Sequence, residues 1–369
     1  MSLPRFALED WVAAHKKSCR YSMGSSDVEP VTIGELFDGA DAQTRRLWSE
    51  TTLSYGDSRG SALLREHVAA LYDTLGADDV HTFNGATEAV FALINVLVEP
   101  GSEVVVVGPT YQLLTDLPAA AGATVRRVDL RAEDGWTLDM DALAAAVTDR
   151  TAVVVINFPN NPTGATLTPA RFDDVVELTR RADARLVSDE VYRGLDPAGV
   201  PLPAAADRGP HCISIGSVSK VYGLPGARIG WVASSDRDLL DRLRTYRYWT
   251  SLGNNAAGEV FAVCGLRRSR ALLGRARNLV TANAARLAEF VAARSEHLAH
   301  TPARAGTVAM VELRHHGATA LATRMAREHS VWAVPSGVLH LPDTHLRVGL
   351  GRATLDRTLE ALDECLSEP

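Results

Sequence analysis

Ser217-Val-Ser-Lys-Val-Tyr-Gly-Leu-Pro-Gly-Ala-Arg-Ile-Gly230 decides how the rest of the chain reads. It holds Lys220, which with Lys16 and Lys17 makes up all the lysine among 38 basic residues; arginine supplies the remainder. The very high pKa of arginine bars it from acting as an amine nucleophile, whereas a lysine with a lowered pKa can form a Schiff base. Standing alone in a glycine loop, Lys220 could be an ordinary surface residue. Its neighbours point elsewhere. The hydroxyls of Ser217 and Ser219 precede it and Arg228 follows eight residues later. Hydroxyls donate and a guanidinium gives paired hydrogen bonds, so the group suits a phosphate carried by the imine partner.

Upstream, apolar runs end in polar residues. Leu186-Val-Ser-Asp-Glu-Val-Tyr192 is a short buried strand ending in a carboxylate, with a phenol three residues on. Val153-Val-Val-Ile-Asn-Phe-Pro-Asn-Asn-Pro-Thr-Gly164 is another, ending in a Pro/Gly turn that could aim the Asn161 amide into a pocket. Val104-Val-Val-Val-Gly-Pro-Thr-Tyr111 ends in an aromatic. Phe83-Asn-Gly-Ala-Thr-Glu-Ala89 opens a helical pattern. Small residues at a helix start leave N–H groups free for an anion, so Gly85, Ala86 and Thr87 form a candidate phosphate cup.

Taken in this order, the segments resemble the fold-type I, class I/II aminotransferases, which use pyridoxal 5'-phosphate (PLP). The resemblance covers roughly residues 50–365. It implies that Lys220 holds the cofactor as an aldimine and that Asp189 faces the pyridine nitrogen. It also implies that Tyr192 bonds the cofactor phenolate, Asn161 bonds the 3' oxygen and Tyr111 stacks on the ring. Ser217, Ser219 and Arg228 would take the phosphate. Tyr55, in Leu53-Ser-Tyr-Gly-Asp-Ser-Arg-Gly60, matches a tyrosine that reaches the phosphate across a homodimer interface. Arg347, in His345-Leu-Arg-Val-Gly349, matches the arginine that pairs with the substrate α-carboxylate, a task suited to a planar fork. At the N-terminus the likeness shifts. Phe6-Ala-Leu-Glu-Asp-Trp11 and Met23-Gly-Ser-Ser-Asp-Val-Glu-Pro30 resemble a branch that includes capreomycidine synthase-like enzymes, which act on guanidino amino acids by elimination and ring closure. Gly24 and Ser25 are then expected to touch substrate, with Asn161 and Arg347.

A chain of 369 residues exceeds one small core, so two lobes are expected. Strand-like runs at 103–107, 152–157, 185–189, 212–216 and 229–233 alternate with helical ones at 85–98, 139–148 and 168–182. That predicts an α/β fold, a mainly parallel sheet wrapped by helices, with ligands beyond the carboxyl ends of the strands. Residues 46–250 form the expected large PLP-binding domain. Residues 251–369 supply linking helices and a small α+β domain, joined by an N-terminal arm, 1–45. A net charge of −7 argues against a nucleic-acid surface. The Arg-rich stretches 237–247 and 267–277 read as solvated helix faces. Cys19, Cys212, Cys264 and Cys365 are scattered, which suggests neither a zinc site nor a disulfide framework. No long apolar run suggests a membrane, and the default is cytoplasmic.

The leading expectation is an aminotransferase converting an L-α-amino acid with a 2-oxo acid. The alternative is β/γ-elimination, replacement or cyclisation, which shares the first half of the chemistry. A nucleotide-binding oxidoreductase would need G-x-G-x-x-G after an early strand, whereas the glycines here run Gly223, Gly226, Gly230. A catalytically dead binding module would not need every reactive position filled. Specificity is expected from the N-terminal segment and from Tyr246-Arg-Tyr-Trp249.

Overall fold

Apolar side chains leave the central strands on both faces, so those strands must be covered twice. Val104, Val106, Val153, Val155, Val187, Ile213 and Ile215 pack to one side, with the helices Ala86–Leu97, Gln112–Ala120 and Arg237–Arg247. Val105, Val107, Val154, Ile156 and Leu186 pack to the other, against Phe172 and Val175 of the helix Pro169–Arg181. Each such side chain removed from water contributes about 1.5–3 kcal/mol. A computed structural model describes residues 2–196 and 201–367.

The large sheet has seven strands, in the order Val80–Phe83, Gly230–Ala233, Cys212–Ser217, Arg185–Asp189, Thr151–Asn157, Glu103–Gly108, Thr124–Asp129. All run parallel except Gly230–Ala233, which is antiparallel to both neighbours. Helix starts follow local chemistry. The Thr168 hydroxyl accepts the Arg171 N–H at 3.2 Å ahead of Pro169, and Asp139 caps Met140–Ala146.

The five strands expected from the sequence are present within a residue at either end. Two more, Val80–Phe83 and Thr124–Asp129, lie at the sheet's edges. The second shows solvent Arg126 and Arg127 and has little apolar content to betray it. The helix Arg237–Arg247 departs from expectation: its solvated face is balanced by buried Leu239, Leu240 and Leu243, and Arg247 itself is buried.

Beyond Ala256–Arg267 and Ser269–Ala292, an antiparallel four-stranded sheet runs Val334–Pro335, His345–Gly349, Val308–Leu313, Leu298–His300. The helices Ala318–His329 and Leu355–Ser367 accompany it. The N-terminal arm reaches this part of the molecule. Tyr21–Ser22 pairs in parallel with Val331–Trp332. The Gly349 N–H donates to the Met23 carbonyl at 2.6 Å, and a Cβ on Gly349 would strike the Ser25 carbonyl. Among the described residues, no helix is long and apolar enough to cross a membrane, and no cluster of His, Cys, Asp and Glu could hold a metal ion.

Candidate active site

Four parallel strands stop at one edge of the sheet, and each hands a polar side chain to the same cavity of about 620 Å³. Glu103–Gly108 leads to Tyr111, Thr151–Asn157 to Asn157 and Asn161, Arg185–Asp189 to Asp189 and Tyr192, and Cys212–Ser217 to Ser217, Ser219 and Lys220. The ladder sets Asn157 opposite Asp189 and Asp189 opposite Ile215. Placement at strand ends is what the topology of such sheets favours.

Lys220 is held from two sides. The Ser219 N–H donates to Ser217 Oγ at 2.8 Å, shaping the turn before it. Its own carbonyl accepts the Val28 N–H at 3.2 Å, and its Nζ donates to Ser26 Oγ at 2.9 Å. The ammonium sits 5.9 Å from the centre of the Tyr192 ring. Asp189 is buried, and burial pushes its carboxyl up to about 6, against the opposing pull of the Val191 N–H and the Lys220 charge. A buried acid so placed gains a large advantage from a cationic partner. Its neighbour Glu190 points away. Glu190 accepts the Ala205 N–H at 2.7 Å and the Ser214 hydroxyl at 2.9 Å, and burial raises its carboxyl to about 7.

Gly85 caps the helix Ala86–Leu97 with φ of 93°, and as a glycine it offers no side chain to the free N–H groups of that helix start. A Cβ at Gly85 would run into the Arg228 guanidinium. Ala86, Thr87, Ser217, Ser219 and Arg228 all line the cavity, and the Arg228 guanidinium lies beside the helix start. This is the chemistry an anionic phosphate requires. At another wall lies Arg347, 3% exposed. It donates to Asn161 Oδ1 at 3.0 Å and to the Gly24 carbonyl at 2.7 Å, while its Nε is buried without a partner. Burial pulls its pKa down. A buried guanidinium with an unused donor fits a carboxylate ligand.

The arm closes the remaining side, contributing Phe6, Leu8, Glu9, Lys16, Ser25 and Ser26 among others. Tyr111 donates its hydroxyl to Glu9 at 2.9 Å and packs on Phe6 with ring centres 5.2 Å apart. Burial and the Glu9 carboxylate raise the Tyr111 phenol well above its ordinary value.

Of the expected residues, Lys220, Asp189, Tyr192, Ala86, Thr87, Tyr111, Asn161, Ser217, Ser219, Arg228, Arg347 and Ser25 line the cavity, and Gly85 shapes it. Gly24 does not line it. Its Cα packs on Val334 and Trp332, and only its carbonyl serves, through Arg347. Tyr55 is 90% exposed and stands apart, near Tyr248 and Leu252. Residues 246–249 are also absent from this lining. Lys16 lines the cavity, with its ammonium 5.9 Å from the Trp332 ring centre, so Lys220 is not the lone lysine there. Sequence reading passed over Asn157, Ser26 and Glu9. Asn157 donates to the Asp189 carbonyl at 2.9 Å and accepts the Asn161 N–H at 2.9 Å. Its position at the end of a buried valine run was a usable signal. Nothing local marked Ser26 or Glu9.

The chain matches the model of the family described as aminotransferase class I and II over residues 34–363. It is 33% identical over 368 residues to capreomycidine synthase of Streptomyces vinaceus, covering 98% of this chain and 94% of that one. A PLP-dependent aminotransferase from Streptococcus suis superposes with a TM-score of 0.93 at 30% identity, over 99% of this chain and 98% of the other. The PLP-dependent cyclase OrfR superposes with a TM-score of 0.92 at 29% identity and the same coverage. The chain belongs to the class I and II aminotransferase family. It has the fold-type I architecture of PLP-dependent enzymes, and PLP is its cofactor.

Proposed function

We propose that this member of the class I and II aminotransferase family acts on an L-α-amino acid with a cationic side chain, and that it carries out elimination and ring closure of the capreomycidine synthase type. One observation carries this reading. The arm supplies a wall of the cavity, yet residues 1–33 precede the stretch matched by the family model, whereas the match to capreomycidine synthase spans 98% of the chain.

When bound, PLP supplies an aldehyde that condenses with amines and a ring that draws electrons from the substrate's Cα. Ala86 and Thr87 N–H groups, Ser217, Ser219 and Arg228 would hold its phosphate. Asp189 would hold a proton on the ring nitrogen; Asn161 and Tyr192 would take the 3' oxygen. Tyr111 would cover one face. Arg347 would bind the substrate carboxylate through the terminal N–H groups left over from its bonds to Asn161 and Gly24. Lys220 Nζ, oriented by Ser26 Oγ, takes the α-proton. Glu9, on the arm, offers a carboxylate to a distal ammonium or guanidinium. Its partner Tyr111 uses one oxygen and leaves the other for the ligand.

Transamination is the second reading. The complete motif set and the likeness to the Streptococcus suis aminotransferase favour it. Under either reading two chains form a homodimer, with Tyr55 reaching the neighbour's phosphate. The exposure of Tyr55 and of the nearby Leu53 and Trp249 supports that placement.

The deciding experiment mixes the protein with β-hydroxylated lysine, ornithine and arginine, whose hydroxyl can leave as water while a side-chain nitrogen bonds Cβ, and with the unhydroxylated amino acids as controls, all without a 2-oxo acid. Many turnovers to a cyclic product, followed by mass, are expected. A single stoichiometric conversion that resumes only when a 2-oxo acid is added overturns ring closure and leaves transamination.

A further inference from the structure

Arg247 is 1% exposed, and the hydrogen bonds of its guanidinium among the described residues all go to neutral acceptors. A buried cation held by neutral acceptors is costly, so its bonds deserve account. One terminal nitrogen donates to the Ser58 carbonyl at 2.7 Å and also to the Thr82 carbonyl. The other donates to Asn254 Oδ1. The Nε donates to Ser251 Oγ at 3.3 Å, and that hydroxyl donates to Glu88. The other carboxylate oxygen of Glu88 accepts the Asn84 N–H at 2.6 Å. The guanidinium also lies 5.1 Å from the centre of the Phe83 ring.

These partners share a location. Ser58 belongs to the loop that carries Tyr55. Thr82, Phe83 and Asn84 run directly into Gly85, Ala86 and Thr87. Glu88 sits in the first turn of the helix whose N–H groups face the cavity, where an unbalanced carboxylate would repel an incoming phosphate. Arg247 supplies a balancing charge, linked to Glu88 through Ser251. Burial lowers the Arg247 pKa, and Glu88 is foremost among the charges that oppose the shift.

We infer that Arg247 is a positioning residue for the phosphate end of the cofactor, tying the cup of its own chain to the Tyr55 loop. It touches neither substrate nor cofactor. The inference rests on the reading of residues 85–87 as the phosphate cup. Removing Arg247 leaves Ser58, Thr82 and Asn254 short of a donor and leaves Glu88 uncompensated beside the cup.

The test uses full-length protein freed of cofactor by dialysis against an amine that takes the aldehyde from the lysine, then titrated with PLP and with pyridoxal, which lacks the phosphate. Arg247→Met, Arg247→Lys and Ser251→Ala are compared with wild type, and circular dichroism reports folding. Arg247→Met is expected to weaken PLP about tenfold to a hundredfold while pyridoxal changes less than about threefold. Arg247→Lys should fall between, because it keeps the charge and loses the fork. Ser251→Ala should cost PLP about threefold or more and keeps the inference testable should Arg247→Met not fold. Equal losses for both ligands, or unchanged PLP affinity in folded variants, overturn the inference. A wild type that binds pyridoxal as tightly as PLP overturns the phosphate cup as well. Tyr55→Phe, run in parallel, separates the two chains' parts. If it is silent while Arg247→Met loses PLP, the Tyr55 assignment fails and the cup's dependence on Arg247 stands.

Discussion

The two walls of the cavity are built by different means. The sheet wall sits at the ends of hydrogen-bonded strands whose register fixes each side chain against its neighbour, as Asn157 against Asp189. The arm wall is the helix Ala7–His15 with Ser25 and Ser26 beyond it. Backbone pairing docks the second part, whereas the helix is held by a few side-chain contacts. Gln112 bonds both the Arg5 carbonyl and the Ala7 N–H, and the Trp11 indole donates to the Ala333 carbonyl at 2.8 Å. The groups proposed to serve every reaction of such a cofactor stand on the sheet wall. Groups that could choose among substrates stand on the wall that can change without disturbing the sheet.

The contrast can be broken, starting with the largest effect. Lys220→Ala should abolish covalent cofactor attachment and turnover; the absorbance of a reduced, lysine-linked adduct checks it. Attachment surviving at Lys16, the other lysine in the cavity, would show that the arm wall also does chemistry. Next, Asp189→Asn should lower the rate by about a thousandfold, the scale of a lost electrostatic contact to reacting charge. A pH signature accompanies it. The folded-state carboxyl lies near 6 against an ordinary 3.8, so the folded protein holds the extra proton between these values. Stability without cofactor should therefore fall as pH rises from about 4 through 6, and Asp189→Asn should reduce that slope while Glu190, raised to about 7, keeps its own part of it; chemical denaturation across pH measures the difference.

Two smaller effects sharpen the comparison. Glu9→Gln should lower kcat/KM about tenfold for cationic amino acids and leave neutral ones unchanged, which steady-state kinetics on matched pairs would show. Equal losses for both classes would reassign Glu9 to holding Tyr111. Ser26→Ala should reduce turnover only a few-fold in steady-state kinetics, since it removes one neutral hydrogen bond from Lys220. A loss as large as that of Asp189→Asn would place the arm on equal footing with the sheet.

The same division explains what the sequence disclosed. Lys220, Asp189, Tyr192, Asn161 and Tyr111 each follow an apolar run, and the end of a buried strand is a local signal. Thr124–Asp129 was hidden because an edge strand needs little apolar surface, and Val80–Phe83 because four residues carry no period. Ser26 and Glu9 act only through contact with Lys220 and Tyr111, 194 and 102 residues away. No spacing in the arm encodes such a contact. Arg247 looked solvated because its helix is rich in arginine; burial of one arginine among several depends on which face meets the sheet.

The pairing of Tyr21–Ser22 with Val331–Trp332 also sets a timetable. Ribosomes make the arm first, yet its docking strand emerges some three hundred residues later. A nascent chain that has already folded the large sheet and exposed Lys220 still lacks one side of its pocket. The stretch after Ser26 can already meet the lysine loop, through the Val28 N–H on the Lys220 carbonyl and the Val31 N–H on the Gly223 carbonyl. The Tyr21–Ser22 pairing and the bond of Gly349 to the Met23 carbonyl must wait for residues 331–349, so completion of the pocket is a late, long-range event of the kind that slows folding.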